Sequence, residues 1–313
     1  MNVPDCNKYR LVTRSDFDGL VCAVLLKELN MIDDILFVHP KDMQDGRIAI
    51  SRRDITTNLP YVPEARIVFD NNPFAALHNE CVRSNHVLNP ASPSAARVVY
   101  EYYGGREAFP NISEDMMEAV DKSGSADYTI DDILNPQEWV LLSYLLDGRT
   151  GLGSFKTFRI PNYQLMMDLI DYARKHPIDA ILQLPDVQER IAIYQEHAPL
   201  AREQILRCSR IYDNLVVLDL RDEPTVYATN RFLIYALFPD CNISIHAMWG
   251  EQRVNTVFAT GKSIIKRSSK THIGELMQRY GGGGHENAGT CQIANDQANQ
   301  VLHELILQIT TDG

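Results

Sequence analysis

The apolar positions of the first 185 residues fall into two patterns, short continuous runs between polar turns and longer segments with helical spacing. The short runs predict strands, and the helical spacing predicts helices between them. The predicted strands are 9–13, 35–38, 47–51 and 65–69, and the predicted helices are 20–29, 94–103, 113–120, 136–146 and 163–175. Strands that alternate with helices are typical of a mostly parallel α/β sheet, in which ligands bind at the carboxyl ends of the strands.

The region after residue 185 begins with a charged segment whose helical spacing extends from Asp186 to Arg210. This segment predicts a helical linker, 186–212, between a first domain at 1–185 and a second domain at 213–313. The second domain has predicted strands at 215–220, 226–229, 243–248, 254–259 and 289–293, and predicted helices at 273–279 and 295–309. The fold class that we expect is therefore α/β, with a parallel-sheet domain followed by a smaller α/β domain.

The net charge of −11 over 313 residues argues against a surface that coats long nucleic acid, because such surfaces are rich in Lys and Arg. A small phosphate-containing or nucleotide ligand is compatible with this charge. The six cysteines are scattered without a C-x-x-C pair, which is typical of free thiols in a reducing compartment. The N-terminus starts polar, and no apolar run approaches the length of about 18 residues that a membrane span needs. These features predict a cytoplasmic protein.

Four consecutive glycines, Gly281, Gly282, Gly283 and Gly284, are followed directly by His285. Each ordered glycine costs up to about 1 kcal/mol of additional chain entropy, so the run needs a physical reason. Glycines allow backbone N–H groups to converge into a nest that attracts anions, and a histidine side chain donates to phosphate or carboxylate. A flexible loop is the alternative, and the pattern favours the anion site. The segment is not a nucleotide P-loop, because no Lys-Ser/Thr pair and no helix follow it.

Several aspartates stand at the ends of the predicted elements of the first domain. Each one alone is typical of a helix cap or a turn. Because strand ends meet at one edge of a parallel sheet, these carboxylates are expected to converge, and they then repel one another unless cations neutralise them. Oxygen ligands suit Mg²⁺ or Mn²⁺. The aspartates are Asp16 and Asp18 after the first strand, Asp54 after 47–51, Asp70 after 65–69, and Asp147 after the helix 136–146.

These motifs resemble the DHH phosphoesterase family. The resemblance rests on the order Thr13-Arg14-Ser15-Asp16-Phe17-Asp18-Gly19, then Asp54, Asp70, and Asp147 with Thr150-Gly151 behind it. The glycine run with His285, Ala288 and Gly289 is similar to the G-G-G-H-x-x-A-G motif of the DHHA1 domain, which is the C-terminal domain of that family. The resemblance covers nearly the whole chain in order. It is nearest to the exopolyphosphatase-related group.

The resemblance implies a site in which two Mn²⁺ ions, or Mg²⁺ in their place, bind to aspartates of the first domain. The implied metal ligands are Asp16, Asp18, Asp54 and Asp147, with Asp54 between the two metals. The implied catalytic residues are Asp54, Asp70, Asn71 and Asn72, and the implied substrate-binding residues are Arg267, Ser268, Gly281, Gly282, Gly283, Gly284 and His285. Relatives of this family often form homodimers.

The chain departs from the family at two positions that fall on the metal site. Asp70-Asn71-Asn72 stands where the family has Asp-His-His, and Arg14 stands where a histidine is common. An asparagine offers one neutral carbonyl oxygen, which is a weak ligand beside an imidazole. Arg14 is able to pair with Asp16 or Asp54 and so to occupy the place of a cation. His78 and His86 lie near Asp70 in the sequence; they either compensate for the missing histidines or, as we favour, are loop or surface residues.

Two hypotheses of different class therefore stand. The first is a metal-dependent phosphoesterase, with weak or altered activity, that hydrolyses a small phosphoester, oligonucleotide or polyphosphate. The second is a catalytically inactive pseudoenzyme that binds a nucleotide or phosphate ligand as a sensor or scaffold. The sequence favours the first. A nucleic-acid-binding module based on Lys262, Lys266, Arg267 and Lys270 is a weaker third hypothesis, because no aromatic residues alternate with these cations.

Overall fold

The computed structural model describes residues 8–72, 83–155 and 157–313. The chain divides into two compact units, of which the first comprises Met1–Asp127 and Pro136–Ala192. The second comprises Tyr128–Asn135 and Ile193–Gly313. The α/β fold class is confirmed, because the first unit contains a parallel sheet and the second unit contains a second sheet flanked by helices.

Among the described residues, the sheet of the first unit has five strands, β1 (Tyr9–Arg14), β2 (Ile32–Val38), β3 (Asp54–Thr57), β4 (Ile67–Asp70) and β5 (His86–Leu88). Their order across the sheet is β2-β1-β3-β4-β5, and every neighbouring pair is parallel. All carboxyl ends therefore lie at one edge of the sheet. The chain order reverses between β1 and β3, and such a switch point is where open α/β sheets bind ligands.

The predicted strand 47–51 is wrong, and the third strand instead begins at Asp54. Ile48 and Ile50 are apolar because they pack, partly buried, against the small core cluster that contains Met43. Their alternating burial in a loop has the same sequence pattern as a strand. The β-branched run Ile55-Thr56-Thr57 carried the true strand signal. The three-residue strand β5 is too short for a periodic pattern.

The α-helices in the described parts of the chain up to residue 182 are α1 (Phe17–Glu28), α2 (Pro40–Gln44), α3 (Ala95–Tyr102), α4 (Glu114–Ser125), α5 (Ile130–Leu134, in the second unit), α6 (Glu138–Leu146), α7 (Asn162–Ala173) and α8 (Ile178–Leu182). The first of them, α1, is buried continuously from Phe17 to Leu26. A helix that is apolar all round belongs in a protein interior, and α1 contacts α3, α4 and α7 in the core of the first unit. Among the described helices, none is both long and apolar enough to cross a membrane.

The sheet of the second unit has six strands, β6 (Ser209–Tyr212), β7 (Leu215–Asp219), β8 (Ile243–Trp249), β9 (Thr256–Lys262), β10 (Gly283–His285) and β11 (Ala288–Ile293). Their order is β10-β11-β9-β8-β7-β6, in which β7 and β8 are parallel and the remaining pairings are antiparallel. The later helices are α9 (Pro185–Cys208), α10 (Leu233–Leu237), α11 (Ile273–Gln278) and α12 (Ala298–Asp312). Helices α11 and α12 contribute Ile273 and Leu305 to the core cluster of this sheet.

Two predictions for this region are wrong in detail. The segment 226–229 is not a strand, although its residues are partly apolar. The helix α9 ends at Cys208, and the next four residues form the edge strand β6, whose short length hides it behind the helical spacing. A single helix does cover most of the predicted linker 186–212, while the division between the two units falls after Ala192.

A partly buried histidine in β8, His246, leads to a prediction about pH and stability. Burial lowers the pKa of His246 from its ordinary value of 6.5 to about 4. The unfolded chain therefore binds more protons than the folded chain between these two pH values, so the contribution of His246 is full above pH 6.5 and declines as the pH falls towards 4. We expect the difference in the free energy of unfolding between the native protein and His246→Gln, measured with urea, to fall across this interval. A difference that stays constant with pH would contradict the assignment.

Candidate functional site

Polar residues gather at the carboxyl edge of the parallel sheet, at the switch point between β1 and β3. Asp16 follows β1, Asn58 follows β3, and Asp70 ends β4. The Asn58 side-chain amide donates to Oδ1 of Asp16 over 3.4 Å. The sequence reasoning missed Asn58, which the β-branched run before it could have indicated as the residue at a strand end. Its positive φ of 54° is a further sign of a constrained turn at this place.

Asp16 is the N-cap of α1 and accepts from the backbone N–H of Gly19 at 3.0 Å. Gly19 is required here, because a Cβ would lie 2.0 Å from the carbonyl oxygen of Arg14. The other carboxylate oxygen of Asp16 lies 3.0 Å from Nε of Arg14. Of the two partners expected for Arg14, Asp16 is therefore the one that it contacts. A metal ion that binds this carboxylate would compete with the guanidinium of Arg14.

Asp18 lies in the buried face of α1 and accepts two hydrogen bonds from the start of α3. The backbone N–H groups of Ala95 and Ala96 donate to its two oxygens at 3.0 Å and 2.8 Å. Burial, reinforced by the charge of Asp16, raises the pKa of Asp18 to about 7, although these two N–H groups act in the opposite direction. Both oxygens of this predicted metal ligand thus connect α1 to the N-terminus of α3.

Asp70 lies at the end of β4 with its side chain almost fully buried. Its Oδ1 accepts from the backbone N–H of Asn72 at 2.9 Å, and its Oδ2 lies 3.6 Å from Nε2 of His86. The side chain of Asn71 donates to the carbonyl oxygen of Ser92 at 3.1 Å. The two asparagines therefore flank the carboxylate, and the imidazole beside it comes from β5.

The interpretation of His86 as a surface residue is wrong. Only 1% of its side chain is exposed, and its ring packs against Tyr61 with 4.8 Å between the ring centroids. Both ring nitrogens are buried without a hydrogen-bond partner among the described residues, which is uncommon and needs a physical explanation. His78, the other histidine near Asp70 in the sequence, lies outside the described residues.

Asp54 is not part of this edge. It begins β3 and lies opposite Arg10 in the register with β1, so three residues, or about 10 Å at about 3.3 Å per residue, separate it from the carboxyl end of its strand. Nε of Arg10 donates to one of its oxygens at 2.6 Å, and Ser51 donates to the other. Burial acts in the opposite direction, but these hydrogen bonds lower the pKa of Asp54. The resemblance implies a place for Asp54 between two metals, whereas the structure places Asp54 at the start of β3, away from the carboxyl edge.

Asp147 follows α6, as predicted. Its carboxylate accepts two hydrogen bonds from the guanidinium of Arg149, at 2.7 Å and 2.8 Å, and one from the backbone N–H of Arg149. Across residues 8–72, 83–155 and 157–313, no group of three or more His, Cys, Asp or Glu side chains is arranged to hold a metal ion. Asp16 and Asp147 have arginine partners, and Asp18 has backbone donors, which explains how these acidic side chains are accommodated.

The donor chemistry of the edge suits a hard or intermediate divalent cation, because it combines carboxylate oxygens with an imidazole. The fit is best at Asp70 and His86, where a buried carboxylate faces a buried ring nitrogen that has no hydrogen bond to any described residue. Asp16 is a second oxygen donor at the same edge, and its use requires Arg14 to move away.

The glycine run of the second unit first ends a helix and then forms a hairpin. The N–H of Gly281 donates to Gln278 at 3.1 Å and that of Gly282 donates to Met277 at 2.9 Å, and φ of Gly281 is +73°. This pattern is a Schellman motif that caps α11. Two of the N–H groups expected in an anion nest are therefore used inside the protein, and β10 then pairs with β11.

The predicted substrate-binding side chains of the second unit, those of Arg267, Ser268 and His285, are exposed. Nδ1 of His285 accepts from the N–H of Asn287 at 3.3 Å. Arg267 is exposed, and its Nε donates to Ile264. Ser268 is exposed, and its hydroxyl accepts from Asn242 at 3.2 Å. The backbone N–H of Lys262 donates to Asn287, which adds a cationic residue beside the hairpin turn.

Two adjacent glycines of the hairpin allow a matched comparison. A Cβ on Gly282 would lie 2.1 Å from the carbonyl oxygen of Thr290, whereas no described atom beyond the chain neighbours lies within 4 Å of a Cβ on Gly283. We expect Gly282→Ala to lower the free energy of unfolding by about 2 kcal/mol or more, as overpacking does. Gly283→Ala should change it by less than about 0.5 kcal/mol. Urea unfolding of both variants measures this, and equal effects would contradict the packing explanation.

The structure is similar over its whole length to the pGpG-specific phosphodiesterase PggH from Vibrio cholerae, with 61% sequence identity, 98% of this chain and 100% of that chain covered, and a TM-score of 0.87. It is also similar to RecJ in complex with Mn²⁺ from Thermus thermophilus, with 11% identity, 96% of this chain and 52% of that chain covered, and a TM-score of 0.55. An exonuclease RecJ bound to manganese gives 12% identity, 96% and 90% coverage, and a TM-score of 0.51. The RecJ similarities show the fold alone. No protein-family model and no curated protein matches the chain.

Proposed function

The chain belongs to the DHH family of phosphoesterases, and from this premise we propose that it hydrolyses pGpG or a closely similar short nucleotide. The observation that carries the proposal is the 61% identity to a pGpG-specific phosphodiesterase over 98% of this chain. The similarity extends over both units, so it includes the regions of the acidic edge and of the glycine hairpin. The exopolyphosphatase-related assignment, the cytoplasmic location and the homodimer stay predictions.

The acidic edge is the proposed place of the chemistry. A divalent cation, when bound, polarises a phosphoryl oxygen and helps to activate water. Asp70 and Asp16 would hold it, with Asp18 and Asp147 as further carboxylates of the predicted ligand set. Asp54 has no part in this proposal, because it lies at the other edge of the sheet. The Arg14 side chain neutralises Asp16 in the absence of a cation and must move when one binds.

The second unit supplies the proposed substrate-binding residues. Because the N–H groups of Gly281 and Gly282 cap α11, we expect side chains rather than these amides to bind phosphate. The guanidinium of Arg267 presents a planar fork that suits a phosphate, and His285 can donate from Nε2. Ser268 adds a hydroxyl next to Arg267 in the sequence. A short nucleotide is also compatible with the net charge of −11, which disfavours long nucleic acid.

The first test compares Asp54 and Asp70, the two aspartates among the catalytic residues that the resemblance implies. We expect Asp70→Asn to lower kcat/KM for pGpG by at least about 100-fold, because it weakens the buried oxygen ligand, while Asp54→Asn retains activity within about threefold. Product release in the presence of Mn²⁺, followed by chromatography, measures both, and circular dichroism checks that each variant is folded. A loss in Asp54→Asn as large as in Asp70→Asn would refute the assignment of the site to the carboxyl edge.

The same assay separates the two classes of function. The ion pair between Arg14 and Asp16, together with Asn71 and Asn72, is what favours a non-catalytic nucleotide binder. The identity to a phosphodiesterase favours the enzyme. Native protein that binds pGpG and leaves it intact with Mn²⁺ present would support the binder and overturn the proposed hydrolysis.

Arg14 and Arg10 lie on the same strand and each pairs with an aspartate, one at each edge of the sheet. We expect Arg14→Gln to tighten Mn²⁺ binding by about tenfold, because the removed cation competes with the metal for Asp16. Arg10→Gln removes an equal charge near Asp54 and should leave the affinity within about twofold. Calorimetric titration of the metal-stripped proteins with Mn²⁺ measures both affinities. Equal affinities for Arg14→Gln and the native protein would mean that Asp16 is not a ligand.

A further inference from the structure

The buried histidine beside Asp70 has a role in the site that the family motif does not include. We propose that His86 binds the divalent cation through Nε2, together with Oδ2 of Asp70, and thereby replaces the imidazole ligands that Asn71 and Asn72 do not provide. This inference rests on the proposed function, because it assigns a ligand to the metal of the same site.

The distance between the two donor atoms suits two ligands of one ion. Nε2 of His86 and Oδ2 of Asp70 are 3.6 Å apart. Ligand atoms at about 2.1 Å from one ion are separated by about 3.0 Å when they are adjacent in an octahedral site and by about 3.4 Å in a tetrahedral site. A shift of a few tenths of an ångström therefore brings both atoms to bonding distance. The present separation is too long for a hydrogen bond, so the pair is not already satisfied by a direct N–H···O contact.

The burial of His86 and Asp70 costs free energy unless another group binds to their polar atoms. The side chains of His86 and Asp70 are 1% and 7% exposed, and neither ring nitrogen of His86 has a hydrogen-bond partner in the described parts of the chain. Buried polar atoms are nearly always hydrogen-bonded, and a buried ring with both nitrogens unbonded needs an explanation. A cation at this place gives Nε2 an electron-pair acceptor and neutralises the carboxylate of Asp70.

The surroundings of His86 hold the ring in the orientation that the proposal needs. The ring of Tyr61 packs against it, and the Tyr61 hydroxyl donates to the side chain of Asn85 at 2.9 Å. β5 pairs in parallel with β4, so that His86 lies opposite Val68 and only two register positions from Asp70. Asn71, which stands in the place of the first motif histidine, makes a different contact: its side-chain amide donates to the carbonyl oxygen of Ser92. The strand pairing, and not the motif, brings an imidazole to Asp70.

The inference is tested with Mn²⁺ alone on the full-length, metal-stripped protein. Pulsed electron paramagnetic resonance detects the nuclear modulation of a nitrogen bonded to Mn²⁺. We expect this modulation in the native protein, its loss in His86→Gln, and a decrease in Mn²⁺ affinity of about 10–100-fold by calorimetry. His176→Gln is the matched control, because His176 is an exposed histidine of the same unit and should leave both readouts unchanged.

A second measurement needs no variant. Native protein prepared with ¹⁵N-labelled histidine and loaded with Mn²⁺ should show the nitrogen modulation at the frequency of ¹⁵N. If no modulation from the ¹⁵N of histidine is seen, the inference is overturned. If native protein binds Mn²⁺ and hydrolyses pGpG while His86→Gln retains the nitrogen modulation, the role of His86 is refuted and the proposed function stands. If the native protein neither binds Mn²⁺ nor hydrolyses pGpG, both are overturned.

Discussion

The parallel pairing of β1 with β3 and of β3 with β4 is the constraint on which the candidate site depends. This register places Thr13 opposite Thr57 and Thr57 opposite Phe69, so the residues that follow these positions meet at one edge. A buried hydrogen bond of 2.7 Å between the hydroxyls of Thr13 and Thr57 joins the two strands directly beneath that edge. A register shift would separate Asp16 from Asn58, and it would move every following side chain to the other face of the sheet.

The second feature of the site is that most of its acidic side chains are paired with arginines or with backbone N–H groups of the protein. Neighbouring carboxylates in a partly buried place repel one another, and the acidic side chains of the predicted ligand set have partners within the protein. Asp16 and Asp147 are paired with arginines, and Asp18 accepts from the N-terminus of α3. Asp70 differs from these three, because an imidazole that can coordinate a metal lies beside it. Asp70 with His86 is therefore the pair in this set that is best suited to bind a cation.

The glycine run has a clear role in folding. Gly281 and Gly282 end α11 through their own N–H groups, and Gly282 and Gly284 allow β10 to approach β11 more closely than a Cβ permits. The result presents His285 at an exposed hairpin turn, where its Nδ1 accepts from the N–H of Asn287. The motif thus positions the His285 side chain by backbone packing, and the N–H groups of Gly281 and Gly282 cap α11.

The α/β class, most of the helices and strands, and the aspartates after β1 and β4 could be predicted from the sequence, because hydrophobic periodicity and polar residues at strand ends are local signals. The sequence also indicated that Arg14 could pair with Asp16. Tertiary structure alone decided that β3 begins at Asp54, that Asn58 takes the place at the edge, and that His86 is buried against Asp70. These facts depend on strand register and on packing between residues distant in sequence, such as the contact of Ile48 and Ile50 with the cluster around Met43. A local pattern cannot distinguish an apolar loop packed on a core from a strand, because both bury alternate side chains, and only the partner strands show which one it is.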